Sequence, residues 1–270
     1  MAGFKARVLS GAVLLLVAGS ALYFGGAYLW ALLLFLALVG LFEFYRALRP
    51  ENERGGFKPG VLEVVGYTGC ICYYMVIFFT SSERFGFFTV IGTLLVMMLF
   101  FVIKYPRYDS SRFMGSFFGF IYVCVTLSFV YMQRMTPDGR KTVWIILISS
   151  SVCDIFAYLI GMAIGKHKLV PKLSPKKSIE GAVAGVVGAA AAGYLFGFFT
   201  GSDGLLFMLI TAVGAVISQF GDLTASVFKR NHNIKDFGKL IPGHGGVLDR
   251  IDSIIITAPV VYILYSITVR

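Results

Sequence analysis

Long apolar runs alternate with short polar segments along almost the whole chain of 270 residues. A helix needs about 20 apolar residues to cross a hydrocarbon core roughly 30 Å thick. The runs that reach this length predict nine transmembrane helices, near residues 8–24, 27–47, 61–80, 85–103, 115–133, 142–165, 181–199, 204–228 and 251–269. The pattern therefore predicts an all-α integral membrane protein.

The first span has a second interpretation as a signal peptide. Lys5 and Arg7 precede an apolar run, and the segment Ala18-Gly19-Ser20 resembles a cleavage site. Cleavage would leave the second span starting from the wrong side of the membrane for the charge pattern that follows. We therefore expect the first span to be retained as a helix.

The composition supports a membrane protein and predicts its orientation. Hydrophobic residues make up 57% of the chain and charged residues only 14%, which is unusual for a soluble domain. With nine spans and a cytoplasmic N-terminus, 19 of the 24 basic residues lie on the cytoplasmic side. The positive-inside rule thus predicts a cytoplasmic N-terminus and an outside C-terminus. The loop at residues 134–141 is the one local exception.

The charge and the cysteines exclude some classes of function. The formal net charge is +10, and its concentration on one membrane face suits attraction to anionic lipids. No soluble segment has a basic stripe with interleaved aromatic residues, so nucleic-acid binding is not expected. All four cysteines lie inside predicted spans without the paired spacing of a zinc site or a disulfide framework.

The character of the chain changes near residue 140, although no loop is large enough for a separate soluble domain. Residues 1–140, with about five spans, are bulky and aromatic and have almost no polar residues at mid-span apart from Glu43 and Glu63. Residues 141–270 are rich in Gly, Ala and Ser, and we predict that they form the catalytic region. This half carries four aspartates in its helices or at helix ends: Asp154, Asp222, Asp249 and Asp252.

The first polar segment, "GKHKLVPKLSPKKSIEG" at residues 165–181, contains five lysines and a histidine. Ser174 and Pro175 predict a helix start with Pro at the first position, so that Ser178 and Glu180 would lie in the first turns. A basic membrane-surface loop is the simpler alternative. The close packing of polar residues between Pro and Gly favours phosphate binding instead. The candidate substrate-binding residues are Ser174, Lys176, Lys177, Ser178 and Glu180.

The second polar segment begins inside the eighth predicted helix. Asp222, Ser226 and Lys229 are spaced i, i+4 and i+7, and therefore share one helix face. An ionised Asp at mid-bilayer costs roughly 3 kcal/mol or more. We therefore expect Asp222 to face the protein interior.

The segment continues as "KDFGKLIPGHGGVLDRID", residues 235–252. Gly243, Gly245 and Gly246 surround His244 and allow several backbone N–H groups to converge on an anion. A helix is predicted to begin near Leu248, with two aspartates spaced i, i+3 on one face. Hard oxygen ligands beside basic residues suit Mg²⁺ that bridges to phosphate oxygens, whereas a single histidine does not suit zinc. A solvated loop capped by an aspartate is the alternative.

The run "SVFKRNHNIKDFGKLIPGHGGVLDRID", residues 226–252, resembles the signature of the phosphatidate cytidylyltransferases, also called CDP-diacylglycerol synthases. Every position of that pattern is filled. The segments "DIFAYLIGMAIGKHKL" and "SPKKSIEG" resemble two further blocks of the family. Ser178 stands in place of Thr, Ile179 in place of Trp, and Phe237 in place of a small residue. The resemblance covers roughly residues 140–260.

The resemblance implies that a phosphatidate oxygen attacks the α-phosphorus of CTP, giving CDP-diacylglycerol and pyrophosphate. It implies a divalent metal, Mg²⁺ or Mn²⁺, held by Asp222 and Asp249 with Ser226 and Asp252 as further ligands. Phosphates would be held by Lys229, Arg230, Lys235 and Arg250, and by the glycine loop from Gly243 to Gly246. The predicted catalytic set also includes Asp236 and His244, and Asp154 would orient a basic residue.

The same resemblance implies CTP and phosphatidate as the substrates, a prokaryotic inner membrane as the location and a cytoplasmic active site. Association into a homodimer is compatible with the sequence. A transporter for an anionic solute is an alternative, but its two halves should carry matched broken helices. A CTP-dependent lipid kinase is a second alternative, and it would release CDP rather than pyrophosphate.

Overall fold

The computed structural model describes residues 2–240 and 245–268. The predicted site residues Gly243 and His244 lie outside the described residues. The helices are α1 (Ala2–Phe24), α2 (Gly26–Ala47), α3 (Glu51–Arg54), α4 (Val61–Thr80), α5 (Glu83–Ile103), α6 (Ser110–Gly119), α7 (Thr126–Met135), α8 (Gly139–Leu147), α9 (Cys153–Ile164), α10 (Ile179–Phe199), α11 (Gly204–Asn231) and α12 (Leu248–Thr268).

Eight helical stretches in the described chain are long and apolar enough to cross a membrane. Two of them, Ser110–Met135 and Gly139–Ile164, each consist of two α-helices joined by a π-helical turn. The predicted all-α integral membrane class is therefore confirmed. The first predicted span is also helical, and its described apolar part is Val13–Phe24. The count of nine spans and the sides of the two termini stay predictions.

The π-helical turns are Phe120–Val125 and Ile148–Val152. In such turns each backbone N–H bonds to a carbonyl five residues earlier, so the hydrogen-bonded ring holds one residue more than in an α-helix. The second turn is rich in serine, and the Ser150 hydroxyl donates to the Ile146 carbonyl at 3.0 Å. Both turns leave the span continuous.

The chain forms two compact units. Unit 1 consists of Met1–Tyr131 and Ile234–Arg250, and unit 2 of Met132–Asn233 and Ile251–Arg270. Each unit thus draws on two separate stretches of the sequence. The linear division into residues 1–140 and 141–270 stays a prediction.

Unit 1 has an aromatic core, in keeping with its bulky sequence. Phe44, Tyr45, Tyr74 and Phe120 are fully buried. The Tyr45 hydroxyl donates to the Ser116 carbonyl at 2.8 Å, which satisfies its one polar atom inside the core. Helices α2, α4 and α6 are thereby held around large rings.

Unit 2 is instead built on close backbone approach between α9, α10 and α11. The buried residues of α10 are all small: Gly181, Gly185, Gly188, Ala189, Gly193 and Gly197. A side chain at Gly185 would overlap the backbone and thiol of Cys153 on α9. The small residues of α10 therefore let its backbone approach α9 closely.

One local prediction is wrong. Ser174–Ser178 forms a β-strand, β2, which pairs antiparallel with β1 (Lys168–Val170). The following helix begins only at Ile179, because Ser178 has an extended backbone and its hydroxyl accepts the Gly181 N–H at 3.2 Å. This side-chain cap, rather than Pro175, defines the start of α10. The predicted start of α12 near Leu248 is confirmed.

Candidate active site

Asp222 lies on α11 of unit 2 and forms an ion pair with Lys177, at the end of strand β2. The Lys177 side chain is 28% exposed and that of Asp222 is 31% exposed, so water can reach the pair. An ion pair at this exposure is weak and can exchange partners. The structure thus brings a residue of the first polar segment to one of the second.

A second carboxylate and lysine lie nearer the interior of unit 2. Lys229 Nζ of α11 is 3.9 Å from Asp252 Oδ2 of α12, and the two side chains are 13% and 10% exposed. The two helices approach closely here, since a Cβ added at Gly221 would lie 3.1 Å from the Asp252 carbonyl oxygen. The residue that directly precedes Asp222 therefore packs on the backbone of Asp252.

In unit 1, Asp249 organises the backbone of the signature segment. Its Oδ2 accepts the Gly246 N–H at 3.0 Å and the Phe237 N–H at 2.9 Å. Gly245 has φ +88°, a conformation that favours glycine. A Cβ at Gly245 would lie 3.3 Å from this carboxylate and 3.5 Å from Asp236. The contacts of Asp249 fix the turn that leads into α12.

Glu43 is a site residue that the sequence-based prediction did not include. It lies on α2 and is only 2% exposed, yet its two carboxylate oxygens accept the Val247 N–H at 3.1 Å and the Leu248 N–H at 2.8 Å. A Cβ at either Gly238 or Gly246 would overlap this carboxylate. Glu43 thus caps α12 from another helix, and the signature segment has glycine where it passes over the carboxylate.

Arg46, one turn further along α2, supports the same segment. Its Nη2 donates to the Phe237 carbonyl at 3.2 Å. Phe237 is 2% exposed and its ring lies 6.2 Å from that of Phe44, so this one of the three departures from the family pattern is part of the aromatic core. The available sequence signal for Glu43 and Arg46 was the presence of charges inside an otherwise apolar span.

Glu180, in the first turn of α10, holds the β1–β2 hairpin. Its carboxylate accepts the backbone N–H groups of Lys166 and His167 at 3.2 Å and lies 2.6 Å from His167 Nδ1. Ser178 is buried and caps the same helix. These two predicted substrate-binding residues therefore have structural partners within unit 2.

The remaining predicted site residues differ in exposure. Four of them are exposed on or beside the signature segment: Arg230, Lys235, Asp236 and Arg250. Lys176 and Asp154 are also exposed, whereas Ser174 and Ser226 are half-buried. Unit 1 brings together Asp236, Gly245, Gly246 and Asp249, and unit 2 forms the pairs Lys177–Asp222 and Lys229–Asp252.

The fit of these residues to a divalent cation depends on how many ligands the protein must supply. Among the residues that the structure describes, no three His, Cys, Asp or Glu side chains are grouped as a metal site. Mg²⁺ is usually held by one or two carboxylates together with substrate phosphates, and not by an all-protein cage. Asp222 and Asp252 lie on α11 and α12 where these helices pack in unit 2, and this second mode requires no more than one or two such carboxylates.

Comparison with known proteins gives a match over nearly the whole chain. A family model described as "Cytidylyltransferase family" matches residues 5–268. A phosphatidate cytidylyltransferase of Staphylococcus epidermidis is 30% identical over 267 residues, covering 96% of this chain and 98% of that protein. One of Staphylococcus haemolyticus is 29% identical over 265 residues with the same coverage. The protein YnbB of Escherichia coli is 35% identical over 206 residues, covering 73% of this chain and 68% of that protein.

Proposed function

The chain belongs to the cytidylyltransferase family, and on this premise we propose that it is an integral membrane phosphatidate cytidylyltransferase. It would transfer CMP from CTP to phosphatidate and produce CDP-diacylglycerol and pyrophosphate. Two relatives named for this activity align with 96% of this chain at 29% and 30% identity. The main support for this proposal is the signature at residues 226–252, in which every position of the family pattern is filled. The turn of this segment is held by hydrogen bonds to Asp249 and Glu43.

The reaction needs positioning and charge stabilisation more than covalent help from the protein. An oxygen of the phosphatidate phosphate forms a bond to the α-phosphorus of CTP. The bond from that phosphorus to the oxygen bridging to the β-phosphate breaks, and pyrophosphate leaves with that oxygen. Negative charge builds up on the leaving group, so fixed cations should lower the barrier.

We assign the phosphate-binding role in unit 2 to Lys177 and Lys229. Both now face a carboxylate, Asp222 and Asp252 respectively. Lysine binds phosphate as a mobile point charge, and the exposed pair with Asp222 costs little to break. Triphosphate would therefore replace a carboxylate as the partner of Lys177.

We further propose a divalent cation, Mg²⁺ or Mn²⁺, with Asp222 and Asp252 as the protein ligands and Ser226 beside them on α11. When bound, such an ion neutralises phosphate charge and stabilises the leaving pyrophosphate. The bonds that Asp249 makes to two backbone N–H groups favour a positioning role for that residue. Gly238 and Gly246 let the backbone of the signature segment pass close to Glu43, and we propose that the glycine loop from Gly243 to Gly246 binds phosphate through its N–H groups.

The charge pattern supports the orientation, and the bacterial relatives support the kind of membrane. Basic residues predominate on the side predicted to be cytoplasmic, where CTP is present. We therefore propose that the protein lies in the plasma membrane of a bacterium, with its active site facing the cytoplasm.

The deciding experiment is turnover by the purified protein in liposomes that contain phosphatidate. Mg²⁺ and one nucleotide at a time, CTP, ATP or UTP, are added, and pyrophosphate and lipid products are followed together. The proposal predicts pyrophosphate release with CTP, in equal amount to a CDP-lipid. Release of CDP instead, or no pyrophosphate from folded protein with any nucleotide, would contradict it. Omission of the divalent ion in a parallel reaction tests the metal separately.

A further inference from the structure

A groove runs along α2 in unit 1, and we call it the α2 groove. It has a volume of about 630 Å³ and lies between α2 and the part of the signature segment at residues 238–240. Its apolar lining consists of Phe35, Leu38, Val39, Phe42 and Leu240. The volume is in the range of small-molecule sites, about 300–1,000 Å³.

The apolar lining remains accessible within the described structure. Phe35 is 56% exposed, Phe42 is 42% exposed and Leu240 is 59% exposed. Phe35 and Phe42 lie on a membrane-spanning helix, where exposed apolar side chains face hydrocarbon at no cost. The hydrophobic part of the α2 groove is therefore suited to an acyl chain.

The groove also has a cationic lining, formed by Arg46 and Lys239. Arg46 is half-buried and donates to the Phe237 carbonyl, so its guanidinium is positioned by the signature segment. Lys239 belongs to that segment and is exposed. Glu43 also lines the groove, but its two oxygens accept the N–H groups of Val247 and Leu248. Two cationic side chains thus lie beside the apolar lining of the α2 groove.

We propose that the α2 groove seats the lipid substrate, phosphatidate, with one acyl chain against Leu38 and Val39 and its phosphate at Arg46 and Lys239. The inference rests on the proposed function and names the place where its lipid binds. A phosphomonoester carries about two negative charges near neutral pH, which matches two cations better than a singly charged phosphodiester does. Arginine can also hold such a phosphate through two parallel hydrogen bonds.

Photo-crosslinking tests whether phosphatidate binds in the α2 groove, without requiring turnover. Purified protein in phosphatidylcholine nanodiscs receives a phosphatidate with a diazirine in one acyl chain, and the labelled peptides are identified by mass spectrometry. We expect label on residues 35–42 and on Leu240, displaced by dioleoyl phosphatidate but not by added dioleoyl phosphatidylcholine. Label elsewhere, or equal displacement by both lipids, would overturn the proposal.

Matched substitutions test the apolar wall. Leu38→Trp fills the groove, whereas Leu36→Trp makes the same change two residues away, at a side chain that does not line it. In mixed micelles, we expect Leu38→Trp to raise the KM for phosphatidate by roughly tenfold. The KM for CTP should stay constant in both variants. Equal KM values for phosphatidate in the two variants would contradict binding of phosphatidate in the α2 groove.

A second pair of variants tests the cationic lining. Lys239→Gln removes one of the two charges, and Lys104→Gln removes an exposed charge of unit 1 that does not line the groove. We expect only Lys239→Gln to weaken displacement of the label by phosphatidate, by roughly three- to tenfold. No difference between the two variants would overturn the phosphate position.

The crosslinking and turnover results separate the two proposals. Displaceable label in the α2 groove without nucleotide transfer would support lipid binding in the groove and refute the proposed reaction. Transfer of CMP with label outside the groove would support the proposed reaction and refute lipid binding in the groove.

Discussion

The carboxylates of the two units are used in opposite ways. In unit 1, Glu43 and Asp249 accept hydrogen bonds from four backbone N–H groups at 2.8–3.1 Å. In unit 2, Asp222 and Asp252 face the ammonium groups of lysines. A backbone N–H cannot leave without distorting the chain, whereas a lysine side chain can rotate away. The carboxylates of unit 1 therefore hold the signature segment in shape, whereas those of unit 2 are able to change partners when a substrate binds.

The largest effect should come from a carboxylate that can change partners. Asp222→Asn removes the charge opposite Lys177 and a proposed metal ligand, and we expect CMP transfer to fall on the order of 100-fold or more. The unfolding temperature should change little, because the ion pair is partly exposed. Pyrophosphate release and thermal unfolding in detergent measure the two quantities.

Asp203→Asn is the matched control for that variant. Asp203 caps the other end of α11, where its Oδ1 accepts the N–H groups of Leu205 and Leu206. Asn is an equally good cap, so turnover should be unchanged. Wild-type turnover by Asp222→Asn would refute the role assigned to this carboxylate.

Glu43→Gln should produce the next largest effect, since the amide has one acceptor oxygen in place of two. One of the N–H groups of Val247 and Leu248 loses its partner, and the signature segment shifts. Misplacement of a reacting group by about 1 Å can cost 100-fold in rate, so we expect a roughly 10- to 100-fold fall in kcat. Steady-state kinetics with both substrates measure it.

Glu63→Gln tests whether that loss is specific. Glu63 is also 2% exposed and lies in unit 1, but its partners are the side chains of Arg49 at 2.6 Å and Arg112 at 3.4 Å. We expect a lower unfolding temperature with kcat close to wild type. Equal losses of kcat in the two variants would mean that Glu43 acts through stability alone.

Gly246→Ala should mainly change stability. The added methyl group would overlap the Glu43 carboxylate, and such overpacking typically costs about 1–3 kcal/mol. Gly92→Ala on α5 is the control, since a Cβ there meets no atom within 4 Å. Chemical unfolding should show a lower free energy of unfolding for Gly246→Ala alone. A wild-type value would show that Glu43 is not rigidly held.

The smallest effect should come from the cap of α10. Ser178→Ala removes the oxygen that accepts the Gly181 N–H, at a cost of about 1 kcal/mol in the free energy of unfolding. Ser178→Thr retains the hydroxyl and should restore most of it. Turnover under conditions where both variants are folded should remain near wild type, because the Ser178 hydroxyl accepts a backbone N–H of α10 and is assigned no phosphate or metal contact. A large loss of turnover in folded Ser178→Ala would instead favour substrate contact by this hydroxyl.

The sequence predicted the parts of the fold that local patterns determine. Apolar length located the membrane helices, and the glycines and aspartates after residue 235 located the turn and the start of α12 at Leu248. The β1–β2 hairpin was missed because Ser174 and Pro175 have the composition of a helix start. Instead, the pairing of Ser174 with Val170 places this segment in a strand, and the Ser178 hydroxyl caps the helix that follows.

The candidate site was only partly predictable, for a reason of chain separation. Asp222, Asp249 and Asp252 lie in or beside a continuous signature, so a pattern could select them. Glu43 bonds to Leu248 across 205 residues, and no local spacing encodes such a contact. The only local signal was the cost of a carboxylate in an apolar helix, which marks a residue as important without naming its partner.

The π-helical turn at Ile148–Val152 determines the direction in which the side chains of α9 point around the helix axis. Each residue of an α-helix advances by about 100° around the axis, and the π turn holds one residue more. Shortening this turn by one residue would therefore rotate Cys153, whose thiol now donates to the Ala215 carbonyl, away from α11. The loss of a single residue here would change which side of α9 meets its neighbours while barely altering its length.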